Sequence, residues 1–372
     1  VEFQRDMRFD FVMLMMLWRK VQVFAIAMFL TIWLDNYWIL VLANFGNRLI
    51  SVPVSYLFIK PYRPRFSFAA WHELFHFSKW LFLGNICTLA DSQVMNFIVG
   101  HYLGVTKVGM YQIGNQIAGL PLSEIAAPIR APFYTAFARL RHDAEHLRRV
   151  FLDGLAVQCL VIVPMTVGIA CTAPEISGIF LGSRWAAVIP LLPFIALYQL
   201  FDASGHYTHN ILIALNRQKL YTLTYYCSIA VRIPLTIWLA LADGLRGAVI
   251  AMLITAAVNA VLWNAQVNRL LRISARRTLT VCWRPLVASG VMAAVLAVLS
   301  QQLLAGPDPA GIFFRFGLKV VGGAVIYFVL IAAFWLMAGA PERSPEAYAL
   351  RVARSVFGRV ESLLQFRRRP AG

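Results

Sequence analysis

Three arginines, Arg48, Arg130 and Arg232, lie inside long apolar stretches of this 372-residue chain. A cation at the centre of a bilayer costs about 2.5 to 3.5 kcal/mol even on the lenient insertion scale. The guanidinium group also offers a fork of donors that matches the oxygens of a phosphate. These residues therefore favour an interior that receives a phosphate-bearing or otherwise anionic substrate. The alternative is that each arginine pairs with an acid or a carbonyl and only joins helices.

Other polar residues recur at helical spacing within the same apolar segments, so they share faces with these arginines. The candidate substrate-binding residues are Asn44, Arg48, Ser51, Asn85, Gln112, Gln116, Arg130 and Arg232. Six cations within the segments outnumber the central acids Asp91, Glu124 and Asp202. Those cations are Arg48, Lys79, Arg130, Arg232, Arg315 and Lys319. The surplus predicts a cationic cavity rather than a set of separate ion pairs.

A second group of titratable residues could couple transport to an ion. Asp202 and His209 share a helical face, with His206 nearby, and histidine titrates near neutrality. The candidate coupling residues are Asp91, Asp202 and His209. A metal site at this face lacks a further ligand, so we predict no metal and no cofactor.

The elements that carry these residues are membrane helices. The chain is 60% hydrophobic and only 14% charged, whereas about a quarter of residues in soluble domains are charged. A segment of about 20 apolar residues crosses the hydrocarbon as a helix, and an isolated strand cannot. The sequence predicts an all-α, polytopic bundle of about ten spans, at 21–34, 36–59, 73–100, 105–137, 150–172, 186–214, 219–241, 246–268, 283–304 and 312–338. Pro121, Pro128 and Pro132 are expected to kink the fourth span.

Basic residues alternate between the connections of these spans. Of the 34 Lys and Arg residues, 25 lie on one side, whereas only Lys107, Arg184 and Arg246 lie on the other. The positive-inside rule then places both termini in the cytoplasm. It also accounts for the net charge of +17, so no nucleic-acid partner is expected. The basic tail from 341 carries apolar residues at helical spacing and favours either an amphipathic helix on anionic lipid or a disordered segment.

The connections on the opposite side are too short to hold a catalytic domain. The longest runs from Ala173 to Trp185. A membrane glycosyltransferase, polymerase or ligase would need catalytic acids or a large external loop, so we expect that the protein is not an enzyme. The five cysteines lie in or beside spans without a CxxC pair, which is typical of small core residues.

Several stretches resemble the polysaccharide transporter family, within the superfamily of multidrug, oligosaccharidyl-lipid and polysaccharide exporters. The resemblance extends from about residue 3 to 215, and it rests on the order and spacing of individually loose motifs. They read FQRDMRF (3–9), NYWILVLANFGNRLISV (36–52), PYRPRFSF (61–68), FSKWLFLGN (77–85), VGHYLGVTKVGMYQIGNQIAGLPLSEIAAPI (99–129) and APEISGIFLGSRWAAVIPLL (173–192). Relatives often have an acid where this chain has Met95, so no family ion site is carried over.

The resemblance implies a flippase of the inner membrane for oligosaccharide linked to undecaprenyl pyrophosphate, working in exopolysaccharide, lipopolysaccharide O-antigen or capsule biosynthesis. A polysaccharide polymerase or export protein is a possible partner. Members have about fourteen helices, so about four would be missing here. The implied domains are 1–59, the end of the N-terminal lobe; 60–72, a cytoplasmic linker; 73–270, the six-helix lobe; 271–340, a terminal helix pair; and 341–372, the basic tail.

Two alternatives remain open from the sequence. One is a multidrug-type exporter of the same superfamily, although cationic drugs would favour an acidic interior over one with surplus arginine. The other is a truncated, inactive transporter, because membrane helices depend on packing partners.

Overall fold

The computed structural model describes residues 9–34, 36, 38–58, 89, 92–126, 133–134, 136–302 and 309–338. Every regular element within these ranges is helical, which confirms the predicted all-α class. The chain divides into two compact units, Val1–Lys79 and Trp80–Gly372. Each unit is taken by itself below.

Within its described residues, the first unit has two helices, α1 (Phe9–Thr31) and α2 (Trp38–Phe58). Helix α2 agrees with the predicted span 36–59. Helix α1 begins earlier than the predicted position 21, because it continues through the exposed cations Arg19 and Lys20. Ala43 of α2 is fully buried.

The second unit contains the remaining long helices and the short turns between them. Its long helices are α3 (92–103), α4 (Val105–Ala118), α5 (Ala144–Cys171), α6 (Leu192–Ala214), α7 (Gln218–Leu271), α8 (Ala275–Gln302) and α9 (Pro309–Met337). Between α5 and α6 lie a short helix, a π turn and a 3₁₀ turn, at Ala173–Ile176, Ser177–Leu181 and Ser183–Val188.

The predicted kink at Pro121 is confirmed. Helix α4 ends at Ala118, and a π-helical turn follows at Pro121–Ala126. Proline has no N–H to give to the helical ladder, so the α-helical hydrogen bonding cannot continue through it. The other two prolines predicted to kink this segment, Pro128 and Pro132, lie outside the described residues.

Helix α7 is a helical hairpin rather than one straight rod. A straight helix of its 54 residues would be about 80 Å long, against about 30 Å of hydrocarbon. Asp243 and Gly244 leave the helical conformation, and Gly244 has a φ of 58°. Gln266 Nε2 donates to Thr224 Oγ1 at 2.5 Å, so the two arms run antiparallel. This break matches the predicted boundary between spans 219–241 and 246–268.

Two apolar clusters mark the opposite ends of the second unit. One contains Leu147, Leu212 and Leu271, and it lies where the α6–α7 and α7–α8 turns meet the start of α5. The other contains Leu191, Ala240 and Leu245 and lies beside the α7 break. Exposed cations flank the first cluster, at Arg139, Arg141, Arg149, Arg217, Lys219, Arg269, Arg272, Arg276 and Arg277. We call this end of the second unit, with these cations, the basic end. The connections that carry the cations are ones that the sequence assigned to the same side of the membrane.

Helix α5 begins at the basic end with a side-chain cap. The carboxylate of Asp143 accepts a hydrogen bond from the backbone N–H of His146 at 3.0 Å. This bond, and a further one to the His146 ring, hold the pKa of the Asp143 carboxyl below its usual range. The cap satisfies an N–H that has no partner within the helix, and it fixes where α5 starts.

The terminal helices α8 and α9 dock on α5. Tyr327 of α9 donates its hydroxyl to the carbonyl oxygen of Leu160 at 2.7 Å. Toward the end opposite the basic end, Lys319 Nζ lies 2.6 Å from Glu175 Oε1, and both side chains are buried. The sequence counted Lys319 among six cations and expected it to lie at the membrane interface or to form a local pair. A buried carboxylate from the α5–α6 connection neutralises it.

Four described helices are long and apolar enough to cross a membrane, judged by length and composition. They are Ala144–Cys171, Lys219–Leu271, Ala275–Gln301 and Gly311–Met337. The second of these is the hairpin. The predicted total of about ten spans stays a prediction.

Replacing Gly247 by Ala is expected to destabilise the second unit. A Cβ atom built on Gly247 would collide with the backbone carbonyl of Leu239 on the other arm of α7, and backbone atoms cannot rotate away. Overpacking of this kind costs about 1–3 kcal/mol. The thermal unfolding midpoint of the protein in detergent should fall. Gly290→Ala in α8 is the matched control, since its Cβ meets nothing within 4 Å and alanine favours helix. Equal midpoints for the two variants would contradict the tight hairpin.

The Glu175–Lys319 pair gives a second prediction. Lys319→Met alone should cost about 3–5 kcal/mol, because it leaves a buried carboxylate without its partner. Adding Glu175→Leu should restore most of that loss, since an apolar pair of similar volume needs no charge partner. The thermal unfolding midpoints of the single and double variants measure this coupling. A double variant as unstable as the sum of both single variants would contradict the buried pair.

Candidate functional site

A polar face of α6 lies at the centre of the candidate site. Asp202 Oδ2 lies 3.2 Å from Nε2 of His206, one turn later, and these side chains remain 32% and 52% exposed. Tyr198 precedes Asp202 by one turn on the same helix. A carboxylate and an imidazole are thus neighbours on α6, and the carboxylate could hold a small cation.

Aromatic rings join α6 to both arms of α7. The ring of His209 stacks on Tyr221 with centroids 3.9 Å apart, and Tyr221 stacks on Trp263 at 5.1 Å. Tyr225 completes the group at 5.6 Å from Tyr221. Gly205 permits the approach, because a Cβ atom there would run into the Trp263 ring. The stack fixes the α7 hairpin against the face that carries Asp202.

Amide side chains hold the same helices together at other levels. Gln199 Nε2 donates to Asn115 Oδ1 at 2.9 Å and so links α6 to α4. Asn264 Nδ2 donates to Ser204 Oγ at 2.7 Å and links the second arm of α7 to α6. Hydrogen bonds of this type join membrane helices where water is absent. Some of the polar side chains in the apolar segments therefore form hydrogen bonds between helices instead of lining a cavity.

The structure assigns the predicted substrate-binding residues to both units. Asn44 and Arg48 are exposed on α2 of the first unit, and Ser51 lies on the same helix. Gln112 and Gln116 are exposed on α4 of the second unit, and Arg232 is half-buried on the first arm of α7. Asn85, Arg130 and the candidate coupling residue Asp91 lie outside the described residues.

The predicted coupling residues Asp202 and His209 lie two turns apart on α6 and have different partners. The sequence grouped them with His206 nearby; in the structure His206 is the ion partner of Asp202, and His209 stacks on Tyr221. Helical geometry explains the difference, because residues four apart lie over one another while residues seven apart lie two turns away.

Sequence reasoning missed the second arm of α7. Asn259, Trp263 and Gln266 all face the first arm or α6. Their spacing of four and three residues is a helical stripe, so the same counting that found the other faces would have found this one. It also missed Glu175, a lone acid in a short connection, as the partner of a cation far along the chain.

Tyr221 should contribute to stability through its ring. Tyr221→Leu removes three ring contacts at about 0.5–1.5 kcal/mol each, whereas Tyr221→Phe keeps them. The unfolding midpoint of purified protein should fall for the leucine variant and stay within a degree or two, roughly the effect of a fraction of 1 kcal/mol, for the phenylalanine variant. Similar loss in both variants would mean that the hydroxyl, and not the stack, carries the contribution.

Comparison with known proteins finds relatives that are named for polysaccharide biosynthesis. Similar curated proteins include the succinoglycan biosynthesis transport protein ExoT of Rhizobium meliloti (strain 1021), 25% identical over 46% of this chain and 35% of that protein. The lipopolysaccharide biosynthesis protein WzxC of Escherichia coli (strain K12) is 24% identical over 48% of this chain and 38% of that protein. The chain spans less than half the length of each of these relatives.

The fold is similar to that of a solved flippase. The structure titled "Lipid II flippase MurJ, inward closed conformation" matches with a TM-score of 0.66 at 14% sequence identity, over 86% of this chain and 66% of that one. The likeness shows a helical, multi-pass membrane fold.

A family model described as polysaccharide biosynthesis protein matches residues 1–190. The match covers just over half of the chain, and it includes most of the motifs that carried the resemblance in the sequence. The chain therefore belongs to this polysaccharide biosynthesis family.

Proposed function

We propose that this protein takes part in flipping lipid-linked oligosaccharide across the bacterial inner membrane, for exopolysaccharide, O-antigen or capsule biosynthesis. The proposal rests on one combined observation: a chain of the polysaccharide biosynthesis family has the fold of a lipid II flippase. The alternative function, export of small drugs, is less well supported, because the membrane-spanning segments contain arginines. Its cationic substrates would require an acidic interior.

The physical task of a flippase is to replace water around a diphosphate and its sugars during passage. Arg48, Arg130 and Arg232 would take the diphosphate, which is carried on undecaprenyl, because guanidinium donors match phosphate oxygens. The exposed amides of Gln112 and Gln116, with Asn44, Ser51 and Asn85, would bind sugar hydroxyls. In this proposal Lys319 and Glu175 pair with each other and do not contact the substrate.

Passage would follow alternating access, in which a transporter opens to each leaflet in turn. We assign the basic end to the cytoplasm, together with both termini and the tail at 341–372, in accordance with the positive-inside rule. The first unit then corresponds to the last two helices of the N-terminal lobe, 73–270 to the six-helix lobe and 271–340 to the terminal pair. A polysaccharide polymerase or export protein at the membrane would receive the product.

Ion coupling is assigned to Asp202 and His209, with Asp91 as a third candidate. His206 joins this group, since it holds the carboxylate of Asp202 at 3.2 Å. Binding of a cation at Asp202 would change the charge on the face of α6 that contacts α4 and α7. No reaction on a covalent bond is needed, in keeping with a transporter rather than an enzyme.

Complementation tests the proposal. The protein, expressed in a strain that lacks its polysaccharide flippase, should restore surface polysaccharide, measured by immunoblot. The variant Arg48→Gln/Arg130→Gln should abolish that restoration while staying in the membrane, because the diphosphate loses its donors. The matched control is Arg276→Gln/Arg277→Gln, which removes two exposed cations at the basic end and should retain activity.

Two outcomes would count against the proposal. Full complementation by Arg48→Gln/Arg130→Gln would remove the cationic-cavity assignment. Failure of the unaltered protein in several strains of different glycan structure, with normal amounts in the membrane, would contradict the flippase assignment itself.

A further inference from the structure

A pair of thiols lies in the contact between α5 and α8. The Sγ atoms of Cys159 and Cys282 are 3.0 Å apart, although the residues are 123 positions apart in the chain. Both side chains are half-buried, and both pack against the apolar cluster beside the basic end. The sequence treated these cysteines as independent core residues. Their proximity is a product of the tertiary fold.

The distance makes the pair a candidate for covalent joining. A disulfide bond is about 2.05 Å long, so the two sulfur atoms at 3.0 Å need to approach by only about 1 Å. The other two described cysteines are free thiols. Cys171 is half-buried, and Cys227 is exposed on the first arm of α7.

We propose that Cys159 and Cys282 form an oxidisable dithiol, and that its disulfide fastens the terminal helix pair to the six-helix lobe. The oxidant is a hydroperoxide of the hydrogen peroxide class. One thiolate attacks the peroxide oxygen, which gives a sulfenic acid and water after proton transfer. The second thiol then attacks the sulfenic sulfur and releases a second water. Two thiols and one peroxide thus yield one disulfide and two waters.

The apolar surroundings of the two thiols determine which oxidants and reductants can reach them. Hydrogen peroxide is small and uncharged, so it reaches a site within an apolar helix contact. Glutathione carries charges that are costly to bring to such a depth, so the disulfide would be reduced slowly once formed. The covalent link would add to the contacts that already hold α8 and α9 on α5, namely the Tyr327 hydroxyl on Leu160 and the Glu175–Lys319 pair.

The consequence is a rise in resistance to unfolding. A disulfide restricts the unfolded chain, and the restriction grows with the length of the loop that it closes. The loop closed here covers α6 and α7 completely. Oxidation therefore stabilises the whole second unit rather than one local turn.

The test uses the full chain with Cys87, Cys171 and Cys227 replaced by Ser, so that only the two proposed thiols remain. The purified protein is treated with hydrogen peroxide, then denatured, alkylated with a maleimide and weighed intact. We expect a monomer that has lost the mass of two hydrogens and takes up no maleimide, until a reductant restores both thiols. Its thermal unfolding midpoint should exceed that of the untreated protein. Adding Cys159→Ser to this background should remove both effects.

The unaltered protein supplies the remaining comparison, because its exposed Cys227 reports that the peroxide is active. Oxidation of Cys227 with Cys159 and Cys282 still fully alkylated would overturn the proposal. So would a disulfide between two copies of the chain, or a disulfide within one chain that leaves the unfolding midpoint unchanged. None of these readouts requires transport, so the result is independent of the proposed function.

Discussion

The absence of water in the hydrocarbon layer is the constraint on which the rest of this structure depends. Each backbone N–H and C=O must find a partner within its own segment, so the described elements are helices. The same constraint acts on side chains. Amides and hydroxyls that would be solvated in a soluble protein are instead directed at one another, as between Gln199 and Asn115 or Asn264 and Ser204. Polar residues thus serve first as contacts between helices, and only the remainder can face a substrate.

Helix α5 is central to the second unit because it contacts both α6 and α9. Tyr207 of α6 donates to the carbonyl of Phe151, and Tyr327 of α9 donates to that of Leu160. Gly154 makes the first contact possible, since a Cβ there would strike the Tyr207 hydroxyl and the Phe133 ring. Helices α6 and α9 are therefore joined through α5, which also belongs to the core of this unit. Docking of α8 and α9 and packing of α6 are not independent events.

Charge within the apolar segments has two roles that composition alone does not separate. Lys319 is neutralised by Glu175 in a buried pair, and Asp202 is partnered by His206 on a more exposed face. A buried pair of opposite charges costs desolvation and tolerates little movement. A half-exposed pair carries a smaller desolvation cost. The first arrangement suits a fixed junction and the second keeps charged groups accessible, which is why the candidate site centres on α6 and not on α9.

The sequence by itself determined the helical class, most helix boundaries, the α7 break and the grouping of basic connections, because these follow from local hydropathy, helix-breaking residues and charge. It also placed Asp202 and His209 on one face, since helical periodicity is a local property. Only the tertiary structure decided which partner each polar residue takes. Glu175 meets Lys319 and Cys159 meets Cys282 across more than 100 residues. Such contacts depend on how helices dock, and no periodicity within a single helix encodes the choice of neighbour.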